Sequence, residues 1–380
     1  MEPARDKNPG WKGLRPFEKR LAAVGIAVVI VVASFGAYYA ISGQHGGKRT
    51  LVVYTYGSFM AYGANKTAAF QKVFGTFEKE YNVSIVVRTP AQGLLSALKS
   101  QNGTGQADLV IGLTNMDGVQ AARDGLLVSY TPPADAYISQ SLKGSMGSAS
   151  PYLTPYEYAY LGVDFNKSVF QQGGTQFRPT FGDLSNSSAA SNLLLENPLY
   201  DSTGEGFLLW EIAYYQMLHQ NWTNWWKAVK PYVQRHIYDS WSTAFGYFGT
   251  GPGTNLLASY LTDPAYNYYF GYGNGTGSTV TYSNGTAYGW QTVYCIGIVN
   301  GSHSIPLDRA FVNYFLGPGV QNEIPQNEWM YPANQTIQLP QSFNYAVDPS
   351  NVVPLNEYLN ASTIATNLQA WELQWQQLMG

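Results

Sequence analysis

Leu51-Val-Val-Tyr-Thr-Tyr56 and Asp108-Leu-Val-Ile-Gly-Leu113 are two apolar runs, each of strand length, that decide the fold. Between them lie a third run, Val83 to Arg88, and two stretches with helical spacing, 70–81 and 93–100. Strands that alternate with helices favour a parallel sheet with right-handed crossovers. The sequence therefore predicts an α/β fold.

Ligands of such sheets bind beyond the carboxyl ends of the strands. In this chain those ends are Tyr56-Gly57-Ser58 and Leu113-Thr114-Asn115. We therefore expect a ligand site that involves these two segments.

The length and composition favour two domains with a polar, aromatic surface. The chain has 380 residues, of which 15% are aromatic and only 12% are charged. The first 50 residues hold 8 of the 21 Lys and Arg residues but only 3 of the 24 Asp and Glu residues, so 13 basic and 21 acidic residues remain. This acidic remainder argues against nucleic acid as a partner.

The N-terminus predicts a membrane anchor. Residues 21–42 contain no charge, are long enough to span a bilayer, and follow six basic residues. The positive-inside rule makes residues 1–20 a cytoplasmic basic tail and residues 43–50 a linker to an extracellular domain. A cleaved signal peptide is the alternative, although its apolar region is usually shorter.

Sequons of the form N-x-S/T are frequent in the predicted extracellular part, which fits a glycosylated surface protein, and we expect an archaeal one. Among them are Asn65, Asn102, Asn166, Asn274, Asn284, Asn300 and Asn334.

The motifs of catalysis and metal binding are missing from the sequence. The single cysteine, Cys295, lies within an apolar run and excludes an intrachain disulfide, and the four His residues show no metal-ligand spacing. No phosphate-binding glycine loop or nucleophile elbow occurs. We therefore expect a binding protein without catalytic residues, metal or cofactor.

Aromatic residues cluster in Ser240 to Asn267, where Trp241, Tyr260 and Tyr266 lie near expected helix starts. Ser242 is a candidate N-cap, and Asp263-Pro264 is typical of a helix N-terminus. Aromatic faces attract cations, and helix N-termini attract phosphate, so the stretch suits a planar cation that can carry an anionic tail. The alternative is that these rings simply pack in the core.

Two further stretches have mainly structural interpretations. Ser202 and Glu205 match a capping box, which would make Ser202 a helix cap, a ligand contact or both. Near the C-terminus, apolar residues step by four, three, four and three and predict one packed helix face. They are Ile364, Leu368, Trp371, Trp375 and Leu378.

Several motifs together resemble the thiamine-binding substrate-binding proteins of ABC importers, and they follow the family's order over nearly all of residues 51–380. They are V-Y-T-Y-G-S-F at 53–59, A-D-L-V-I-G-L-T-N at 107–115, D-S-T-G-E-G-F-L-L-W at 201–210, S-W-S-T-A-F-G-Y-F at 240–248, S-Y-L-T-D-P-A-Y at 259–266, I-P-Q-N-E-W-M-Y-P at 324–332 and Q-A-W-E-L-Q-W at 369–375.

The resemblance implies a two-lobed periplasmic-binding-protein-like fold with ligand in the interlobe cleft. Lobe 1 would comprise 51–155 and 294–380 with the C-terminal helix, and lobe 2 would comprise 156–293. The implied function is extracellular capture of thiamine or its phosphates by a monomer that delivers them to a permease and its ATPase. The implied ligand-binding residues are Tyr56, Ser58, Tyr62, Thr114, Asn115, Ser202, Trp241, Tyr260, Tyr266, Trp329 and Tyr331.

The chain departs from the family pattern at Gly57 and Thr114, where relatives often carry Asp, and Asp117 is a candidate to replace that charge. Other ligands known for similar lobes are ferric iron and polyamines. A thiamine-degrading enzyme on the same scaffold is a further alternative, but it would need an exposed nucleophilic cysteine.

Overall fold

The computed structural model describes residues 48–101 and 103–380. The predicted basic tail, the anchor at 21–42, most of the linker and the sequon at Asn102 lie outside these residues. Within the described residues, no helix combines the length and the apolar character needed to cross a membrane.

Two of the strands are much longer than the others. The strands are β1 Arg49–Tyr54, β2 Val83–Arg88, β3 Leu109–Thr114, β4 Leu127–Val128, β5 Leu153–Asn166, β6 Leu193–Glu196, β7 Ile237–Tyr238, β8 Leu256–Tyr260, β9 Thr276–Thr279, β10 Thr281–Ser283, β11 Thr286–Val299, β12 Tyr331–Pro332 and β13 Val353–Pro354.

The helices range from single turns to one of five turns at the C-terminus. They are α1 Lys66–Phe70, α2 Thr76–Tyr81, α3 Leu94–Gln101, α4 Asn115–Arg123, α5 Gln140–Gly144, α6 Lys167–Phe170, α7 Phe181–Leu184, α8 Ser187–Ala190, α9 Ser202–Met217, α10 Thr223–Val233, α11 Trp241–Tyr247, α12 Asp263–Tyr269, α13 Ile305–Phe315, α14 Pro318–Gln321, α15 Ile324–Asn327 and α16 Ala361–Met379.

The sheet is mixed, not wholly parallel as the sequence predicts. The main strand order is β2-β1-β3-β11-β5-β8-β6-β7. β1 pairs in parallel with β2 and β3, and β6 pairs in parallel with β7 and β8. The long strands β5 and β11 pair antiparallel with each other, because the chain leaves one half of the sheet along β5 and returns along β11.

We refer to the half with β2, β1 and β3 as lobe 1 and the half with β8, β6 and β7 as lobe 2. The residue boundaries predicted for the lobes remain a prediction. Two local expectations need correction. The predicted linker ends before residue 50, because β1 already begins at Arg49. The sequence of residues 233–238 also predicts a strand, but only the short β7 forms there, because α10 continues to Val233.

Each lobe has its own apolar packing. In lobe 1, alternate residues of β3 enter clusters on its two faces, with Leu109 and Ile111 in one cluster and Val110 in the other. In lobe 2, α9 is buried on all sides from Thr203 to Tyr214, as expected of a helix that runs through a core.

The C-terminal helix α16 confirms the predicted apolar stripe and contacts both lobes. Trp375 packs edge-on against Trp226 of α10 at 5.7 Å between ring centroids, within the lobe 2 cluster. Towards the other end of the helix, Ala361 and Ala365 pack against the lobe 1 cluster.

One sequon is incompatible with glycosylation in the folded protein. Asn334 is 1% exposed, and its amide donates to Leu316 O at 3.2 Å while its carbonyl accepts from the Thr336 hydroxyl at 2.7 Å. A glycan there would require loss of these buried hydrogen bonds.

Candidate functional site

Rings from distant parts of the chain meet in one aromatic cluster, formed by Tyr62, Trp241, Tyr266 and Trp329. Tyr62 follows β1, whereas Trp241 begins α11 in lobe 2, and their ring centroids are 5.0 Å apart. Tyr266 lies 6.2 Å from Tyr62 and 5.4 Å from Trp329, edge-on in both cases. The structure therefore brings four of the predicted ligand residues together.

Hydrogen bonds orient these rings. The indole N–H of Trp329 donates to Tyr62 O at 3.0 Å, and the Tyr62 hydroxyl donates to Ser242 Oγ at 2.7 Å. Trp329 has a positive φ of 58°, which non-glycine residues adopt at an energetic cost. The Tyr62 to Ser242 bond connects a lobe 1 loop directly to α11 of lobe 2.

Trp241 is held by Asp201, which precedes α9, and by Ser259 of β8. Its backbone N–H donates to Asp201 Oδ2 at 2.8 Å, and its indole N–H donates to Ser259 Oγ at 2.8 Å. The N-cap of α11 is Ser240, so the prediction that Ser242 caps the helix is wrong. Ser242 is instead the second residue of the helix, where its hydroxyl accepts the hydrogen bond from Tyr62.

A chain of hydroxyl groups runs beside the aromatic cluster. The Tyr260 hydroxyl is 3.0 Å from that of Tyr294 and 3.2 Å from that of Thr203. Tyr294 also contacts Ser202 Oγ at 2.7 Å, and its ring lies 5.6 Å from that of Tyr56. Tyr294 is absent from the predicted set, yet it joins Tyr56 of lobe 1 to Tyr260 and Ser202 of lobe 2.

Ser202 is not the helix cap. Asp201 caps α9, with Oδ1 accepting from Thr203 N–H at 2.8 Å, and burial raises the pKa of Asp201 although these hydrogen bonds oppose the rise. The hydroxyl of Ser202 is thereby left to interact with Tyr294.

Two glutamates missing from the sequence prediction meet at Tyr56. The Tyr56 hydroxyl lies 2.7 Å from Glu328 Oε2 and 3.0 Å from Glu157 Oε1, and 3.2 Å from the Tyr156 hydroxyl. Burial, together with the negative charges of Glu157 and Glu328, raises the pKa of Tyr56 well above its usual value. The Tyr56 ring occupies the space that a side chain at Gly112 would fill.

The remaining predicted residues lie at the edge of this arrangement or outside it. Tyr331 stacks on Tyr158 at 5.4 Å, next to the aromatic cluster. Thr114 caps α4, Asn115 donates to Ser145 O at 3.1 Å, and Ser58 accepts a turn bond through its backbone carbonyl.

Asn115 instead faces a cavity of about 940 Å³ between α4, the loop that precedes β5 and the start of α16. Its lining includes Val119, Tyr152, Gln291 and Ala361. No member of the aromatic cluster lines this cavity. The position of Asn115 at the end of β3 therefore does not direct its side chain to the rings.

Asp117 belongs to a separate group of three carboxyl residues, Asp117, Glu205 and Glu372, which we call the acidic cluster. Burial raises the pKa of Asp117 to about 6 and that of Glu372 to about 7, with Lys99 opposing both shifts. Burial and the charges of its two partners raise the pKa of Glu205 well above its usual value. These partners lie on α9 and α16, not at the rings, so they do not support Asp117 as a replacement charge for the ligand.

The described residues offer no group of three His, Cys, Asp or Glu side chains that could hold a metal ion. Cys295 is fully buried, and burial followed by the charge of Glu157 raises its pKa well above the usual value. A thiol in this state is a poor nucleophile.

The two lobes and the aromatic cluster that links them define a ligand-binding protein. A family comparison agrees, since the model of the bacterial extracellular solute-binding proteins matches residues 63–322. The chain belongs to this family, which confirms the predicted class and the periplasmic-binding-protein-like fold.

The chain is also similar to individual thiamine-binding proteins. The thiamine-binding periplasmic protein of Brucella suis is 26% identical over 331 residues, which cover 86% of this chain and 91% of the relative. Its namesake in Escherichia coli K12 is 27% identical over 333 residues, with 87% and 93% covered. A solved periplasmic thiamin binding protein matches with a TM-score of 0.74 at 24% identity, over 89% of this chain and 98% of that chain. The resemblance inferred from the motifs is confirmed.

Proposed function

We propose that this protein captures thiamine, or a phosphate of thiamine, outside the cell and delivers it to the permease and ATPase of an ABC importer. The aromatic cluster is the observation that carries the proposal, because it joins rings from both lobes at one place. Alignment with two thiamine-binding relatives over 86% and 87% of the chain supports the same ligand.

The chemistry of the cluster suits both rings of thiamine. An aminopyrimidine stacks on aromatic faces, and a thiazolium cation gains roughly 0.5 to 2 kcal/mol from each ring face that it meets. The indoles of Trp241 and Trp329 are already oriented by hydrogen bonds to Ser259 Oγ and Tyr62 O, so the ligand need not order them. This preorganisation lowers the entropy cost of binding.

Capture requires the lobes to open and then close on the ligand. Opening separates Tyr62 from Trp241 and breaks the hydrogen bond from Tyr62 to Ser242. Closure around thiamine replaces ring-to-ring contacts by ring-to-ligand contacts, and the closed form is what the permease would recognise.

Unphosphorylated thiamine is preferred over the phosphates of thiamine. The N–H of Thr203 at the start of α9 already donates to the carboxylate of Asp201, which competes with a phosphate for this helix N-terminus. Ser202, the residue nearest to this position in the predicted set, is likewise engaged with Tyr294.

The cellular location, membrane anchoring and oligomeric state of the protein are also proposals. Residues 21–42 would remain as a single-pass anchor, with residues 1–20 in the cytoplasm and the binding domain outside, on a glycosylated archaeal surface. The protein would act as a monomer without cofactor, and without nucleic acid as a partner.

Isothermal titration of the full-length chain in a mild detergent tests the proposal. We expect thiamine to bind with a Kd below about 10 µM, equivalent to about 7 kcal/mol, and thiamine diphosphate to bind about tenfold more weakly. Spermidine and ferric citrate serve as ligands for the alternative functions. Tighter binding of either one, with no heat from thiamine, would refute the assignment.

A further inference from the structure

The Tyr56 hydroxyl lies between two carboxyl groups that cannot both accept its proton. It is 3.0 Å from Glu157 Oε1 and 2.7 Å from Glu328 Oε2. A phenol donates one hydrogen at a time. Both short contacts are satisfied only when one of the carboxyl groups is itself protonated and donates to the phenol oxygen.

Glu157 has nothing nearby that neutralises it. Its side chain is fully buried, and its Oε2 has no hydrogen-bond partner. Apart from Tyr56 and Glu328, the titratable groups that face it are Tyr156, Tyr294 and Cys295, none of which is a cation. A buried carboxyl of this kind is satisfied by a proton or by a positive charge brought to it.

Glu328 connects this pair to the aromatic cluster. It directly precedes Trp329, and its Oε1 accepts from the backbone N–H of Met60 in the loop that leads to Tyr62. Burial raises the pKa of Tyr62, and the negative charge of Glu328 raises it further, so the carboxyl group lies within electrostatic range of the aromatic cluster. The positive side chain that acts on it is Lys66.

We propose that Glu328, supported by Glu157, determines specificity by receiving the positively charged part of the ligand, an assignment that rests on the proposed function. The cation takes the place of the proton that the two carboxyl groups share in the free protein. A neutral solute of the same shape lacks this interaction. The two glutamates therefore select for a positively charged ligand, whereas the aromatic rings select for a planar one.

Proton release on binding follows from this exchange. Burial raises the pKa of Glu328 to about 8, and burial together with Glu328 raises that of Glu157 well above its usual value. Near pH 6.5 Glu328 is therefore protonated in the free protein, and a bound cation lowers the pKa of both carboxyl groups. Affinity should rise with pH, by up to about tenfold per unit, until the pH exceeds about 8.

The test is titration of the full-length chain with thiamine at several pH values, each in two buffers of different ionisation enthalpy. The difference in heat between the buffers counts the protons released. We expect the wild type to release up to one proton near pH 6.5. Glu328→Gln should bind about tenfold more weakly at pH 8 and release fewer protons, and Glu157→Gln should show a smaller change in the same direction.

The control is Asp308→Asn, because burial raises the pKa of Asp308 to about 7 while its partners Ser302, Asp108 and His303 all lie away from the rings. Melting temperatures establish that each variant is folded. If folded Glu328→Gln and Glu157→Gln both keep the wild-type affinity and proton count, the pair has no role in specificity although thiamine still binds. Absence of thiamine binding by the wild type would overturn the proposed function and this assignment together.

Discussion

The aromatic cluster and the acidic cluster link the same two lobes by opposite means. In the aromatic cluster, Tyr62 meets Trp241 at 5.0 Å and donates a hydrogen bond to Ser242, so that each contact favours closure. In the acidic cluster, burial raises the pKa of Asp117, and burial together with the charge of Asp117 raises the pKa of Glu205, so that ionisation of these carboxyl groups opposes closure. Ligand chemistry and pH can therefore act on the lobes through separate groups.

Removal of a central ring should have the largest effect. Trp329→Ala deletes the indole that contacts Tyr266 and Tyr62, and we expect thiamine affinity to fall about hundredfold, or about 2.7 kcal/mol. Trp329→Phe should lose less, because it keeps a ring face. Titration calorimetry measures both. Tyr358→Ala, at a tyrosine that is 50% exposed, is the control and should bind as the wild type does.

The acidic cluster predicts an effect of pH on stability. Because the pKa values of Asp117 and Glu372 are raised in the folded state, the folded protein holds protons that the unfolded chain has lost. The resulting stabilisation is present below about pH 4 and is lost as pH rises through about 6 to 7. Glu372→Gln should therefore show a smaller fall in melting temperature between pH 5 and pH 8 than the wild type.

Other buried carboxyl groups also titrate, so the variant must be compared with a matched exposed one. Glu80→Gln changes an exposed glutamate of α2 and should retain the full wild-type fall. Identical slopes for wild type, Glu372→Gln and Glu80→Gln would mean that the acidic cluster does not govern pH sensitivity.

The hydrogen bond between the lobes should have the smallest effect. Ser242→Ala removes the acceptor that lies 2.7 Å from the Tyr62 hydroxyl, and a bond of this kind contributes about 1 kcal/mol. We expect thiamine to bind about fivefold more weakly, as measured by calorimetry. Ser150→Ala, at an exposed serine before β5, is the control. An effect as large as that of Trp329→Ala would place the main closing contact at Ser242 rather than in the rings.

Much of the architecture could be predicted from the sequence because it is locally encoded. The apolar runs at 51–56, 83–88 and 108–113 correspond to β1, β2 and β3, and the spacing from Ile364 to Leu378 corresponds to one face of α16. The antiparallel course of β5 and β11 could not be predicted in this way, because direction depends on how the chain connects the two lobes.

Site residues could be predicted from the sequence only where they belong to a recognisable motif. Trp241, Tyr266 and Trp329 belong to distinctive motifs and do meet in the structure. Glu157 and Tyr294 lie within long buried strands, and their hydrogen-bond partners Tyr56 and Tyr260 are 101 and 34 residues away in sequence, respectively. Hydrophobic periodicity indicates which face of a strand is buried. It does not indicate which hydroxyl group, distant in sequence, contacts a side chain on that face.

The asymmetric attachment of α16 constrains how the lobes can move. Its C-terminal end is fixed to lobe 2 through Trp375 and through the Lys230 ammonium, which donates to Leu378 O at 2.8 Å. Its other end packs on lobe 1 through Ala361 and Ala365, and the Arg123 guanidinium of α4 donates to Ala365 O at 3.0 Å. The helix is therefore attached to both lobes, so any movement of one lobe relative to the other must shift one of these two sets of contacts.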